Sequence, residues 1–367
     1  MIWLAFPAMV LLAVRLTIVL VNLLTRPWLT RKPLKDTPPV SVLIPARNEE
    51  KNLSVLLSGL LEQDYRDMEI IVYNDESTDR TLEIIKAFSK NDSRIQWIDG
   101  GPVPEGWNGK NYACDQLAGR ASGKYFLFLD GDVRVESGLI EKSLAHSEQY
   151  DLSLLSIFPR QLMITTGEQI TVPVMNWILL SLLPLSLIRL SHRSSLAAAN
   201  GQFMLFRARE YRHHRFHRMV REMNVEDIQI MRKMKRMGYR GHTVLSRGEV
   251  TCRMYHNFSE AIRGFTRSMF AFFGGSALLL IFFTVFTTFG FIFVWIGLSW
   301  KVALLYLGAG LLLRIIAAGM SYQPLLRVAF LAPIQQISFL VMVLESFRLR
   351  SRGRNTWKGR TIKYKGQ

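Results

Sequence analysis

The chain alternates between long apolar stretches and a polar middle, and this pattern predicts helices that insert into a membrane. Four stretches contain at most one charged side chain each: residues 1–24, 269–300, 302–320 and 328–344. About 20 apolar residues are enough for a helix to cross the hydrocarbon core. The first stretch lacks a basic leading region and a small-residue cleavage site, so we expect residues 1–25 to be a retained anchor.

The polar middle shows a different periodicity. Short runs rich in β-branched residues occur at 40–46, 68–75, 95–99 and 125–130. Segments with helical spacing of apolar residues lie between and after them, at 52–63, 77–89, 109–119 and 223–238. This alternation predicts an α/β fold, with a mostly parallel sheet covered by helices on both faces. Ligands of such sheets bind beyond the carboxyl ends of the strands.

The net charge of +17 has to be explained by its location. Basic residues cluster directly after the first apolar stretch and again in the tail, residues 348–367, which contains no acid. Positive flanks mark the cytoplasmic side and attract anionic headgroups. No nucleic-acid motif accompanies the charge, so we expect a membrane partner and no nucleic acid. The two cysteines have no metal-ligand spacing and are predicted to be packed thiols.

The last apolar stretch decides the predicted topology. If residues 1–24 and three further helices all cross the membrane, the basic tail lies outside, against the positive-inside rule. Pro333 and Gln335 weaken the stretch 328–344 as a span. We therefore expect this stretch to be re-entrant or interfacial and the tail to be cytoplasmic.

Two carboxylates end the fourth predicted strand, at Asp130 and Asp132, with Gly131 between them. Side chains two residues apart on an extended backbone point the same way. Such a pair suits Mg²⁺ or Mn²⁺, which binds oxygen ligands and keeps positions for phosphate. An isolated Asp-x-Asp often only solvates a turn. Here Asp75 ends another strand at the same edge, which favours a nucleotide-diphosphate site.

Together these motifs resemble the family 2 glycosyltransferases with the GT-A fold. The matching stretches are SVLIPARNEE (41–50), NDESTDRT (74–81), LDGDV (129–133) and VED (225–227). Asn74 stands where the family usually has the first of two acids, and Gly131 stands where it usually has alanine.

A narrower resemblance, to the membrane-bound subgroup that glycosylates lipids, rests on EGWNGKNYAC (105–114), NGQFMLF (200–206), CRMY (252–255), GFTRS (264–268) and WKGR (357–360). This subgroup includes carotenoid (diaponeurosporenoate-type), hopanoid and ceramide glycosyltransferases. The Gln-x-x-Arg-Trp motif of processive synthases is absent from the sequence, which counts against polymer synthesis.

The resemblance implies a role for each matched residue. Asp132 would hold the metal with Asp130, and Asp227 would be the catalytic base with Glu226 beside it. Residues expected to bind the nucleotide sugar are Pro45, Ala46, Arg47, Glu49, Asp75, Trp107, Lys110, Asp130, Gly131, Trp357 and Arg360. Residues expected near the acceptor are Asn200, Gly201, Gln202, Arg253 and Tyr255. For Lys110 a solvated loop lysine is an equal alternative to a phosphate contact.

The expected protein is thus an inverting, metal-dependent glycosyltransferase of a bacterial cell membrane. Its expected donor is a nucleotide-diphosphate sugar, UDP-linked in preference to GDP-linked, and its acceptor a carotenoid, isoprenoid or glycerolipid. Two alternatives stay open: a polyprenyl-phosphate glycosyltransferase, and a non-catalytic membrane protein that binds a sugar nucleotide. The expected organisation is an anchor, a linker (26–39), a cytoplasmic GT-A domain (40–268) with an interfacial segment (170–188), transmembrane or interfacial helices (269–347) and a basic cytoplasmic tail.

Overall fold

The computed structural model describes residues 2–30, 32–223, 225–352, 354–357 and 360–363, and side chains within 3–30, 32–223 and 225–351. Its backbone divides into two compact units. One unit, here called the α/β unit, comprises Pro27–Arg160 and Leu185–Arg253. The other, here called the apolar unit, comprises Met1–Arg26, Gln161–Pro184 and Met254–Gln367.

The strands in chain order are β1 Val40–Ala46, β2 Met68–Asn74, β3 Ile95–Asp99, β4 Tyr125–Leu129, β5 Val133–Val135, β6 Leu154–Phe158, β7 Arg160–Gln161, β8 Phe203–Arg207, β9 Gly241–Leu245, β10 Val250–Cys252, β11 Arg354–Trp357 and β12 Arg360–Lys363. The main sheet of the α/β unit has the order β3-β2-β1-β4-β8-β6-β9. Its neighbouring strands pair in parallel, except that β8 runs antiparallel to both β4 and β6. The predicted mostly parallel sheet is therefore confirmed.

The helices in chain order are α1 Ile2–Thr25, α2 Leu53–Leu61, α3 Thr81–Asn91, α4 Gly109–Arg120, α5 Leu139–Gln149, α6 Thr166–Gln169, α7 Pro173–Leu182, α8 Leu185–Leu190, α9 Ala208–His214, α10 Phe216–Met219, α11 Glu226–Arg236, α12 Phe258–Phe272, α13 Ala277–Gly297, α14 Trp300–Met320 and α15 Leu325–Arg352.

Burial explains why the central strands are apolar along their whole length. Every residue of β4 is buried, as are all residues of β1 except one, because helices cover both faces of the sheet. Helix α2 buries leucines at positions 53, 56, 57 and 60, which is the spacing of one helical face. The core of this unit therefore follows from the two periodicities of the sequence.

One helix starts later than the sequence pattern predicts. The pattern places a helix over 77–89, whereas α3 begins at Thr81. The residues before it bond to the loop after β1: Asn48 N donates to Ser77 Oγ, and Thr78 N donates to Asn48 Oδ1. These side-chain bonds hold the backbone in a turn in place of a first helical turn.

The apolar unit contains four helices that are long and apolar enough to cross a membrane: Trp3–Thr25, Ala277–Gly297, Trp300–Met320 and Leu325–Ser351. Helix α15 continues through Pro333 over 28 residues, well beyond the apolar stretch 328–344. Residues 170–188, expected to be an interfacial segment, contain α7 and α8, and Pro173 lies in the first turn of α7.

Candidate active site

The carboxyl edge of the main sheet collects the acidic residues that end its strands. Strands β2 and β4 flank β1, and Asp75 and Asp130 directly follow them. Adjacent strands lie about 4.8 Å apart, so these two residues leave the sheet on the same edge roughly 10 Å from each other. Asp99 is the last residue of β3 at the same edge.

The loop after β1 contacts the end of β2. Arg47 Nη1 donates a hydrogen bond to the Asp75 carbonyl oxygen at 2.7 Å and lies 3.9 Å from Asp75 Oδ2. Asn74 Nδ2 donates to Asp99 Oδ1 at 2.7 Å. A carboxylate from β3 thus faces the position where the family resemblance predicted an acid. Its position at the end of a predicted strand is the sequence feature that could have identified Asp99 as a site residue.

The glycine between the two aspartates is required by its neighbour. A Cβ at Gly131 would lie 2.9 Å from Glu49 Cγ, closer than such atoms approach in proteins. Glu49 is itself held by Asn52, whose Nδ2 donates to Glu49 Oε2 at 2.9 Å. Gly131 therefore lets the loop before α2 approach the Asp-x-Asp segment.

Lys110 joins two of the carboxylates. Its Nζ lies 2.7 Å from Asp130 Oδ1 and 3.0 Å from Glu226 Oε1. Burial opposes the charged form of this lysine, but the two ion pairs outweigh burial and raise the pKa of Lys110 well above its usual value. Burial raises the pKa of Asp130, although Lys110 partly counteracts that rise. The alternative of a solvated loop lysine does not describe this ion-paired side chain.

Asp227 is the second residue of α11 and lies beside this ion-pair cluster. Gly201 N donates to Asp227 Oδ2 at 2.9 Å, and Ile228 N donates to Asp227 Oδ1 at 2.7 Å. Burial, followed by the negative charge of Glu226, raises the pKa of Asp227 to about 7, against the pull of those two bonds and of Lys110. Asp227 is partly exposed. It is therefore a carboxylate that can exchange a proton near neutral pH.

Asp132 lies beside Gln202 at the start of β8. Gln202 Nε2 is 3.4 Å from Asp132 Oδ1 and 2.8 Å from Cys252 Sγ. Burial raises the pKa of the Cys252 thiol well above its usual value, consistent with the predicted packed thiol. Asn200 fixes the turn before β8, since its Oδ1 accepts from Gln202 N at 2.8 Å.

Gly201 is the point where these groups meet. A Cβ at this position would lie 3.0 Å from Lys110 Nζ, 3.1 Å from Glu226 Oε1 and 3.7 Å from Asp227 Oδ2. Of the predicted acceptor residues, Gly201 thus contacts Asp227 and Gln202 contacts Asp132.

Three aromatic side chains pack on one another close to Lys110 in the sequence and on β2. Trp107 packs edge to face on Tyr112 at 5.4 Å, and Tyr112 packs on Tyr73 of β2 at 6.5 Å. Asn111 Nδ2 donates to the carbonyl oxygens of Val220 and Met223. These bonds hold the segment before α11 against α4, which places the start of α11 beside Lys110. Nothing in the local sequence pattern marks Asn111 for this role.

Four predicted site residues, Arg253, Tyr255, Trp357 and Arg360, are not assigned to this cluster. The side chains of Trp357 and Arg360 lie outside the described residues. Arg253 ends the α/β unit, whereas Tyr255 belongs to the apolar unit, where its ring packs on Phe265 at 4.9 Å. Their expected roles stay predictions.

Comparisons with known proteins bear on this geometry. Residues 41–214 match the family model "Glycosyl transferase family 2". The 4,4'-diaponeurosporenoate glycosyltransferase of Staphylococcus haemolyticus is 36% identical over 127 residues, which are 34% of this chain and 33% of that protein. The GalNAc(5)-diNAcBac-PP-undecaprenol beta-1,3-glucosyltransferase of Campylobacter jejuni is 36% identical over 104 residues, 28% of this chain and 32% of that protein. The chain thus spans about a third of the length of these curated relatives.

A solved structure extends the likeness to the fold of nearly the whole chain. The mannosyltransferase PcManGT from Pyrobaculum calidifontis, in complex with GDP-Man and Mn2+, aligns with 94% of this chain and 99% of its own, at a TM-score of 0.53 and 16% sequence identity. At this identity the match shows the fold alone. It confirms the predicted GT-A fold combined with apolar helices.

Proposed function

Because residues 41–214 match the family model "Glycosyl transferase family 2", we propose that the chain transfers a sugar from a nucleotide-diphosphate sugar to a lipid acceptor at a membrane. The observation that carries this proposal is the position of Asp227, a partly exposed carboxyl group that accepts from Gly201 N next to the ion pairs of Lys110 with Asp130 and Glu226. Burial there raises its pKa to about 7. An acceptor hydroxyl needs a base of this kind, whereas a protein that only binds a sugar nucleotide does not.

The donor site we propose lies along the carboxyl edge. Asp75 accepts hydrogen bonds from the nucleotide base, and Arg47 holds Asp75 in place through its backbone carbonyl. Trp107 and Tyr112 supply an apolar wall for the sugar or the base. A UDP-sugar is the favoured donor. The GDP-Man in the PcManGT structure makes GDP-sugars the second donor class to test.

The chemistry of the donor set fits a hard divalent cation. Within the described residues no three His, Cys, Asp or Glu side chains are grouped so as to hold a metal ion. Mg²⁺ is often held by one or two carboxylates together with the phosphates of the substrate. Asp132 is partly exposed, and we assign it as the metal ligand, with Asp130 as the second carboxylate. A cation bound there would neutralise charge on the leaving diphosphate.

We propose a single displacement. Asp227 removes the proton of the acceptor hydroxyl as the oxygen attacks the anomeric carbon. The bond from that carbon to the diphosphate oxygen breaks, and the nucleoside diphosphate leaves with the electron pair. One displacement inverts the anomeric configuration. Lys110 keeps Asp130 and Glu226 paired, so that negative charge at the site does not build up against the donor.

Support for a lipid acceptor comes from two directions. The two relatives are named for acting on a carotenoid acid and on an undecaprenol-linked saccharide, and the chain has four candidate spans. We therefore propose a multi-pass membrane location with the α/β unit in the cytoplasm.

The test is a donor screen with the full chain purified in detergent. UDP- and GDP-sugars are incubated with total bacterial lipids, and products are identified by mass spectrometry together with release of the nucleoside diphosphate. Asp227→Asn should abolish the glycolipid product. Asp92→Asn is the matched control, because Asp92 precedes β3 at the opposite edge of the sheet. Nucleotide-sugar binding without any glycosylated product would favour the non-catalytic alternative.

A further inference from the structure

Two arginines of the apolar unit lie against one buried tryptophan. The Arg15 Cζ atom of α1 lies 4.8 Å from the ring centroid of Trp177 in α7, and the Arg314 Cζ atom of α14 lies 4.5 Å from the same centroid. The two guanidinium carbons are therefore no more than about 9 Å apart. Phe283 of α13 closes the cluster, 5.0 Å from Arg15 Cζ. Arg15, Trp177 and Arg314 are called the arginine cluster below.

Among the residues that the structure describes, neither arginine forms an ion pair with a carboxylate, and Glu345 of α15 pairs with Arg348. Helices α1, α7, α13 and α14 contain no aspartate or glutamate at all. Among the described residues, Arg15 donates one hydrogen bond, from Nε to Ser181 Oγ at 3.0 Å. Arg314 donates to the Ala332 carbonyl oxygen at 3.3 Å and to Gln336 Oε1. All of these partners are neutral.

Such an arrangement is unfavourable without a counter-ion. Arg15 is only 7% exposed, and burying a charge is costly unless it is paired. Two like charges held close together in an apolar environment add repulsion to that cost. The attraction between each guanidinium group and the indole ring offsets only part of these two costs. Charged side chains within apolar helices are commonly paired and functional.

The third donor of the cluster is the indole N–H of Trp177. Trp177 is 2% exposed, and its Nε1–H has no hydrogen-bond acceptor among the described residues. Buried indole N–H groups usually find an acceptor. The cluster therefore offers two guanidinium groups and one indole N–H, which are all donors, and this donor set fits an oxyanion.

We propose that the arginine cluster binds the anionic group of a membrane lipid, a phosphate or carboxylate. Guanidinium groups bind both oxyanions through paired, charge-assisted hydrogen bonds. Arg314 is partly exposed, which leaves the cluster reachable. Helix α14 exposes leucines at positions 304, 305, 311 and 312, which provide an apolar surface for the chains of a lipid. This site is separate from the carboxylate cluster and does not depend on glycosyl transfer.

The test compares lipid retention by the full chain and its variants. The protein is placed in phosphatidylcholine nanodiscs with and without phosphatidylglycerol, and retained lipid is counted by native mass spectrometry after transfer to neutral detergent. Inorganic phosphate and oleate in detergent form two further arms. We expect phosphatidylglycerol or oleate to be retained and to raise the melting temperature, with inorganic phosphate much weaker because it lacks apolar chains.

The variants separate a site from a general charge effect. Arg15→Gln and Arg314→Gln should each weaken retention about tenfold, the effect of one lost charge-assisted hydrogen bond. Trp177→Phe keeps an aromatic ring but removes the N–H and part of the buried indole, so it should weaken retention, and its melting temperature in neutral detergent measures the loss of packing separately. Lys301→Gln is the matched control, because Lys301 lies over Trp300 at 5.9 Å in the same helix but is exposed.

Three results would overturn the proposal. The first is retention by Arg15→Gln and Arg314→Gln equal to that of the wild type. The second is an equal loss in Lys301→Gln, which would indicate surface charge alone. The third is binding of inorganic phosphate as tight as that of the lipid, which would indicate a site for a free anion. If the glutamine variants fail to fold, Trp177→Phe and Arg314→Lys in the same assay decide.

Discussion

Replacing Asp227 with asparagine keeps the size of the side chain and removes its basicity. In the folded protein its two carboxylate oxygens accept from Gly201 N and Ile228 N. Asparagine retains one acceptor oxygen, so one of these backbone N–H groups loses its partner, at a cost of about 1–3 kcal/mol. Donor binding should change little, because the base is assigned to the acceptor.

The pKa of about 7 for Asp227 also means that the wild type loses stability as the pH rises, and asparagine avoids this loss. A carboxyl group that titrates near pH 7 in place of 3.8 binds its proton more tightly in the folded than in the unfolded state. Stability therefore falls as the pH rises from about 4 through 7, by up to about 4 kcal/mol. Asparagine removes this loss. We expect Asp227→Asn to be about as stable as the wild type at pH 5 and more stable than the wild type at pH 9.

Turnover should follow the same ionisation. The wild-type kcat/KM is expected to rise about tenfold per pH unit below pH 7 and to level off above it, since the base must be ionised. Asp227→Asn should lose 10²–10⁴-fold in turnover, roughly the usual contribution of general-base catalysis, and should also lose this acid limb. The measurements are initial rates and thermal unfolding between pH 5 and 9, with Asp92→Asn as control. A variant that keeps its turnover would refute the assignment and favour an acceptor that is already anionic.

The remaining predictions concern the other parts of the site. Asp132→Ala should reduce transfer about 10³-fold, and EDTA should abolish wild-type transfer with recovery on adding Mn²⁺ or Mg²⁺; full activity in EDTA would contradict metal dependence. Lys110→Met should leave Asp130 and Glu226 unpaired and destabilise the protein by about 3 kcal/mol, the low end for a broken buried pair because these side chains are 11–26% exposed. Lys110 lowers the pKa of Asp227, so Lys110→Met should also shift the pH below which the rate falls to a value above 7. Lys110→Arg, which keeps the positive charge, is the control. An unchanged melting temperature and an unchanged pH–rate profile in Lys110→Met would contradict the role assigned to Lys110. Arg360→Lys and Trp357→Leu should raise the donor KM or lower turnover if the tail closes over the donor, and a deletion of 353–367 with full activity would exclude this.

The features of the fold and the site that follow from local sequence patterns are predictable, whereas contacts between residues far apart in the sequence are not. The strands and the alternation of strands with helices follow from local periodicity, and β1, β3 and α4 begin where the pattern places them. Asp75 and Asp130 lie at one edge because parallel strands end together. Local patterns do not contain the pairing of Lys110 with Glu226, which lie 116 positions apart and meet only after β8 is inserted antiparallel beside β4.

The start of α3 at Thr81 shows that a local pattern can also predict wrongly. Its Ser/Thr-rich beginning is a good helix cap by sequence, yet these side chains and backbone groups bond to Asn48. A long-range contact thus replaces a local one. The arginine cluster was equally hidden, because Arg15 and Arg314 each appear in the sequence as a single charge in an apolar stretch.

The end of α15 bears on which side of the membrane the basic tail lies. Arg350 Nη1 donates to the Gly275 carbonyl oxygen at 3.4 Å, and Phe347 packs on Phe270 at 5.1 Å. The end of α15 therefore lies beside the start of α13. Helix α12 carries Glu260, Arg263 and Arg267 and is not among the four candidate spans.

If α13 starts at the cytoplasmic face and returns through α14, then α15 both begins and ends at that face. This is the expected behaviour of a re-entrant or interfacial helix, although its length and composition would allow a span. The tail would then be cytoplasmic, in agreement with its positive charge. A single cysteine introduced at position 365 should resist membrane-impermeant maleimide in intact cells and react after lysis. Labelling in intact cells would mean that α15 crosses the membrane and that the tail is remote from the donor site.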